Sequence, residues 1–409
     1  MIAPRWEKAC RDRLPIILRR TYSDGMLYDA IVLGLGVMGL ATAWRLASRG
    51  LRVIGLEQYS IPHRLGSSHG QTRIIRQAYY EHPDYVPLVL RAYAGWYELE
   101  QLSGQNLLTI CPCLSLGPPE GELIQGVLRA SREHDLPVEK LSTTDVYTRF
   151  AAFANLDAWA AVVEPTAGVL AVEDSLRAMA QQAQSQGATL HERLAVRSWR
   201  REGTGVAVVT DTQTFYAARL VITAGPWAAR VLTSQAPPLK GIPPLRVMRQ
   251  VVFWLAASDL SRFRRDRFPV FIADTLGGYF YGMPAFDSRG VKVAQHYGAA
   301  ETDDPDTIER TITADDERPV RDFLRRHLPQ ADAPVSEAST CIYTLTPDRH
   351  FWIDALDEAV VVAAGFSGHG FKFAPVVGEI LADRAMYGHT TLPATLFQRR
   401  AFTSPASIS

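Results

Sequence analysis

Gly34, Gly36 and Gly39 stand at G-x-G-x-x-G spacing directly after an apolar run, Ala30 to Leu33, and an acid, Glu57, follows 18 residues beyond the last glycine. Residues of these types in this order can hold a dinucleotide. Gly34 permits the tight turn, Gly36 lets backbone approach a pyrophosphate, and Gly39 lets the next helix pack closely on the strand. Amides at the helix N-terminus then face the phosphates, and Glu57 accepts from a ribose hydroxyl. The unit by itself fits NAD and FAD equally.

Downstream residues with chemical potential are fewer, and their types alone leave more than one reading open. Arg76 offers a planar, bidentate fork for a carboxylate, although an isolated arginine among polar residues also suits a solvated surface. Lys372 lies in the glycine- and aromatic-rich turn Gly365-Phe366-Ser367-Gly368-His369-Gly370-Phe371-Lys372. A cation there is costly to desolvate unless an anion completes the site. Lys292 sits in an apolar strand-like run and is either an outward-facing strand lysine or a functional cation. Cys341, read alone, is a buried structural thiol. His369, between two glycines, either polarises a bound group or satisfies backbone.

The elements that must position these residues alternate between two styles. Arg52 to Leu56 reads as the strand that leads to Glu57, and Arg219 to Thr223 and Val360 to Ala364 share its fully buried pattern. Asp84 to Gln101 and Glu173 to Gln186 carry helical periodicity. Ala188 to Trp199, Gly205 to Thr210 and Gln213 to Tyr216 read as a small β-meander. Arg246 to Leu255, Tyr279 to Met283 and Gly290 to Gln295 alternate polar with apolar residues, as in an antiparallel sheet with one open face.

Composition is that of an ordinary globular chain: 409 residues, 47% hydrophobic and 21% charged, with 43 basic residues against 43 acidic. A formal net charge of zero gives no reason to expect nucleic acid or an anionic membrane as partner. Cys10, Cys111, Cys113 and Cys341 are too few for a disulfide framework, and Cys111-Pro112-Cys113 lacks zinc spacing, so no metal is expected and a cytoplasmic location is. Residues 1–26 carry Arg5, Lys8, Arg11, Arg13, Arg19 and Arg20 around a short apolar cluster, too short for a membrane span. They read as a flexible extension, or as the result of a start upstream of Met26.

Seven segments in order carry a resemblance. GSSHGQTRIIR at 66–76, YVPLVLRA at 85–92, RQVVFW at 249–254, YGMP at 281–284, Lys292 with His296, CIYTLTPDRHFWID at 341–354 and GFSGHGFKF at 365–373 are similar to the monomeric sarcosine oxidase and N-methyltryptophan oxidase family of flavoproteins. The resemblance covers essentially all of residues 28–395. It implies an oxidase of secondary amino acids that holds FAD and reduces oxygen to hydrogen peroxide. By the same resemblance Cys341 is the flavin attachment point, with Arg73 and His69 as the expected source of nearby positive charge. Arg76 and Lys372 grip the substrate carboxylate, Tyr281 and His296 line the substrate pocket, and Lys292 activates oxygen near the flavin N5. Gly365, Gly368, His369 and Gly370 belong with Gly34, Gly36, Gly39 and Glu57 in the cofactor site.

The expected architecture is an α/β, two-domain flavoprotein. A discontinuous Rossmann-like FAD-binding domain with a parallel sheet takes residues 28–108, 163–240 and 343–395. A substrate domain with a mainly antiparallel sheet takes 109–162 and 241–342, and 396–409 form a tail. The partners expected are a small secondary amino acid and oxygen, and the chain is expected to be a monomer. Two features depart from the family's GSHHGDTR pattern, Ser68 and Gln71. Two other readings share the fold: a dehydrogenase passing electrons to a quinone or protein acceptor, and an oxidase of pipecolate or another cyclic imino acid.

Overall fold

The computed structural model describes residues 27–235, 241–398 and 400. The expected extension over residues 1–26 and most of the expected tail lie outside these. The strand Leu27–Leu33 pairs in parallel with Val53–Leu56 on one side and Thr214–Ile222 on the other. Thr189–His191 extends this sheet beyond Val53–Leu56, and Val360–Ala364 extends it beyond Thr214–Ile222, both in parallel. Helix Val37–Ser48 leaves the glycine turn and packs between helices Val172–Ser185 and Ala374–Tyr387. Every residue from Val37 to Ala47 is buried, so this helix is covered on all sides.

Two details of this sheet differ from the sequence reading. Thr214–Ile222 is one continuous strand where two were expected. Its first half pairs antiparallel with Gly205–Thr210 and its second half in parallel with Val360–Ala364, so one strand serves both the meander and the central sheet. Thr189–His191 joins Val53–Leu56 instead of the meander. Strand pattern identifies which side chains share a face but not the identity of the neighbouring strand.

The second sheet is antiparallel except where Val270–Thr275 meets Cys113–Gly117. Arg246–Leu255 is its long central strand, flanked by Val335–Leu345 and Val291–His296. The expected open face is covered. Phe323 of helix Ala314–His327 stacks on Phe271 and Phe280, closing one side with Phe253, Val291 and Val293. Alternate residues point to the opposite side, where Gln250, Val252, Tyr281, His296, Cys341 and Tyr343 face a cavity. Polar residues at these positions therefore mark a lined interior.

A third, three-stranded sheet of Thr72–Ile75, Gly168–Ala171 and Leu108–Ile110 carries Arg73. Three of the domain limits expected from the sequence pattern fall inside Leu108–Ile110, Ala160–Glu164 and Val335–Leu345. Hydrogen-bond pairing keeps each of these strands with one sheet, and sequence pattern carries no information about pairing. Among the described residues no helix is long and apolar enough to cross a membrane, and no cluster of His, Cys, Asp or Glu could hold a metal ion.

Candidate active site

The glycine turn opens on a cavity of about 310 Å3. Gly34 and Gly36, Glu57, Ser67 and Ser68, and the turn from Gly365 to Phe371 supply parts of its wall, except that His369 does not line it. Gly34 has φ +88°, and a Cβ there would come 2.7 Å from the Thr223 carbonyl oxygen. At Gly39 a Cβ would strike the Gly34 carbonyl oxygen at 1.9 Å, the close helix–strand approach expected of the third glycine. Ser68, one of the two departures, accepts a hydrogen bond on Oγ from the Val37 amide at 3.2 Å, at the start of the helix. Glu57 accepts from the Leu35 amide at 2.8 Å and the Tyr59 amide at 3.0 Å, which fixes its carboxylate on the cavity wall. These residues fit the adenosine and pyrophosphate of FAD.

A smaller cavity of about 90 Å3 adjoins the first, and the two share Arg73, Tyr343, Gly368 and Phe371 as lining. Cys341 lines it, 4% exposed, with the Arg73 guanidinium 3.6 Å from its sulfur. The register of the second sheet puts Cys341 opposite Gln250, and Lys292 opposite both Trp254 and Met283. Arg73 thus supplies the expected positive charge. His69 does not. Burial, reinforced by the Arg73 charge, pushes its pKa down to about 3, so the ring is neutral. Both its nitrogens are buried without a partner among the described residues, which suits a polar group lodged beside them.

Arg76 and Lys372 line this smaller cavity, both buried. Arg76 already holds a carboxylate. Its Nη2 donates to both oxygens of Glu81 at 2.7 and 2.6 Å, and Nη1 donates to the Ala78 carbonyl. The guanidinium lies 4.2 Å from the Tyr79 ring centre and 4.7 Å from that of Tyr80. Lys372 donates to the His369 carbonyl at 2.8 Å and to the Tyr79 hydroxyl at 3.4 Å. Burial first, and the Arg76 charge second, lower its pKa to about 7, with Glu81 opposing.

His369 spends both ring nitrogens on protein groups: Nδ1 meets the Tyr79 hydroxyl at 2.6 Å and Nε2 the Arg349 carbonyl at 3.1 Å. One ring nitrogen thus meets backbone and the other a tyrosine hydroxyl. His296 faces the Tyr343 hydroxyl through Nδ1 at 3.0 Å, and burial lowers its pKa to about 3. Tyr281 packs edge-on to the His296 ring at 6.0 Å, and burial raises its pKa.

Lys292 is 2% exposed, which removes the outward-facing reading. Its Nζ donates to the Gly70 carbonyl at 2.6 Å, the Thr72 carbonyl at 3.1 Å and the Thr72 hydroxyl at 3.3 Å. Three acceptors match the three donors of an ammonium. Burial, then the Arg73 charge, nevertheless pull its pKa well below the usual lysine value.

Sequence reasoning missed Tyr79, Glu81 and Tyr343, and took Glu173 only as a helix start. Tyr79 and Glu81 immediately follow the arginine motif, in RQAYYE at 76–81, and that adjacency was the available signal.

The model of the FAD dependent oxidoreductase family matches residues 29–384, and the chain belongs to that family. It is 39% identical over 387 residues to monomeric sarcosine oxidase of Streptomyces avermitilis, a match covering 93% of this chain and 99% of the relative. It is 35% identical over 367 residues to N-methyl-L-tryptophan oxidase of Yersinia pestis, covering 87% and 94%. Among solved structures it is similar to NikD, an unusual amino acid oxidase essential for nikkomycin biosynthesis, with TM-score 0.79, 27% identity, and 91% and 97% of the two chains covered.

Proposed function

We propose that this flavin oxidoreductase oxidises a small secondary amino acid, with oxygen as electron acceptor. The observation that carries the reading is the buried pair Arg76 and Lys372 lining the same cavity as Cys341. FAD, when bound, supplies the two-electron acceptor for the carbon–nitrogen bond and passes the electrons on to oxygen. The protein's part is to hold a carboxylate on two cations, exclude water, and place Lys292 where negative charge develops on oxygen. A carboxylate substrate must displace or share the place of Glu81 on Arg76. The neutral ring of His296 offers an uncharged wall for the substrate amine, whose lone pair must be free.

The curated relatives include both sarcosine and N-methyltryptophan oxidases, and the identity is higher with the first, 39% against 35%. Peroxide release from the purified protein, assayed with sarcosine, N-methyl-L-alanine, N-methyl-L-tryptophan, L-proline and L-pipecolate, is expected to be greatest with sarcosine. Reduction of an artificial dye by substrate with no peroxide formed would point to a dehydrogenase instead.

The same reading makes Cys341 the covalent anchor, supported by the Arg73 cation 3.6 Å from its sulfur. Acid-precipitated wild-type protein is expected to stay yellow, and Cys341→Ser to release its colour to the supernatant. Residues 28–108, 163–240 and 343–395 serve as the FAD-binding domain, built around the parallel strands Leu27–Leu33, Val53–Leu56 and Val360–Ala364. A monomer in the cytoplasm is the setting this reading carries, the few cysteines being in line with a reducing compartment.

A further inference from the structure

Glu173 stands at the start of helix Val172–Ser185, against the loop that holds Lys292. Its carboxylate accepts the Gly70 amide at 2.9 Å and the Gln71 amide at 3.0 Å. In return the Val172 amide donates to the Gln71 carbonyl at 2.7 Å. Gly70 and Gln71 both have positive φ, +90° and +66°. Backbone of this kind turns successive amides toward one point and forms a small anion cradle. Gln71 bears a strained conformation for a residue with a Cβ, so something must hold it there.

The two sides of this loop carry opposite partners. Amides of Gly70 and Gln71 grip the Glu173 carboxylate, while the Gly70 carbonyl, the Thr72 carbonyl and the Thr72 hydroxyl receive every donor of the Lys292 ammonium. The remaining support is the Val172 amide on the Gln71 carbonyl, the loop's own bond from the Thr72 amide to the Gly70 carbonyl at 2.8 Å, and the strand Thr72–Ile75, paired antiparallel with Gly168–Ala171 from Thr72 onward. That strand pairing does not reach Gly70. Hydrogen bonds to a carboxylate are about twice as strong as those between neutral groups.

We infer that Glu173 is a positioning residue: it fixes the Gly70–Thr72 loop in the one conformation whose acceptors hold the Lys292 ammonium in place. This rests on the reading of Lys292 as the oxygen-side cation. Glu173 lines neither of the two cavities of the site. It acts on Lys292 through the loop and by its own charge, which favours the ammonium, so its loss falls first on the oxygen step.

Two variants of the flavin-loaded protein test this, Glu173→Ala and Glu173→Gln. The first removes both acceptors, and the second keeps one neutral acceptor and the side-chain volume. Acetylation of Lys292 by acetic anhydride, read by mass spectrometry, is expected to rise roughly tenfold or more in Glu173→Ala and by less in Glu173→Gln. Hydrogen exchange in the peptide spanning 69–73 is expected to rise with it. Reoxidation of the prereduced protein by oxygen is expected to slow in the same order, with anaerobic reduction by substrate at the wild-type rate. Unchanged Lys292 acetylation and loop exchange in Glu173→Ala would overturn the inference, as would equal slowing of both half-reactions. Lys292→Met, run in parallel, separates the two readings. If it reoxidises normally, the oxygen role fails, whereas Lys292 release in Glu173→Ala still establishes the anchoring.

Discussion

Lys292→Met is expected to slow reoxidation of the reduced protein by oxygen roughly 100- to 1,000-fold, the usual cost of removing one preorganised electrostatic group. Reduction by substrate under anaerobic conditions should keep its wild-type rate. The expectation follows from placement. Lys292 is one of the largest fully buried side chains, and its strand register points it away from the Phe323 side of the sheet. Its ammonium is fastened on three acceptors of a loop that lines the smaller cavity and lies 4.9 Å from the Trp254 ring centre. A buried cation whose acceptors are carbonyls and a hydroxyl is expensive, and it is stabilising only when negative charge arrives. Methionine preserves length and apolar packing, so the fold should survive, and stopped-flow traces of each half-reaction report the effect. A wild-type oxygen rate in the variant would show that Lys292 serves packing alone.

Lys372→Met is expected to weaken binding of small carboxylates roughly 10- to 150-fold below pH 7, the range for one hydrogen bond to a charged group. The clean probe is a carboxylate without an amine, such as propionate, measured as a competitive inhibitor. The sign of the pH dependence is set by a lysine whose pKa is lowered to about 7. Below that pH the ammonium is already formed and binding is independent of pH. Above it, each binding event must take up a proton, so the inhibition constant should rise about tenfold per pH unit. The neighbouring rings do not confuse the profile, because His296, at about 3, and His369, also pushed down by burial, stay neutral over this range. In Lys372→Met the rise above pH 7 should vanish while Arg76 retains residual affinity. Persistence of the rise in the variant would assign it to another group.

Part of this site was legible without coordinates because its determinants are local. The dinucleotide unit occupies about thirty consecutive residues, and each of its requirements, a turn, a close approach, a helix start and an acid, is met by a residue type at fixed spacing. Val360–Ala364 and the turn that follows were legible for the same reason. The strand at 246–255 was placed correctly, yet its polar alternation was read as solvent exposure. Gln250, Tyr281, His296 and Tyr343 are polar because they surround a cavity, and periodicity cannot distinguish a wetted face from a lined interior.

Residue order alone established that the chain carries a nucleotide-anchoring turn, which strands are buried on both faces, and, through spaced motifs, which cations and which thiol belong together. How those residues are poised came from packing in three dimensions. Packing neutralised His69 and His296, set a carboxylate from Glu81 on Arg76, brought Lys372 near neutral pH, and joined Lys292 to the Gly70–Thr72 loop that Glu173 holds. All four outcomes share one cause. Desolvation and charge pairing depend on everything within a few ångströms, and residues 70, 173 and 292 become neighbours only once the second and third sheets have packed together.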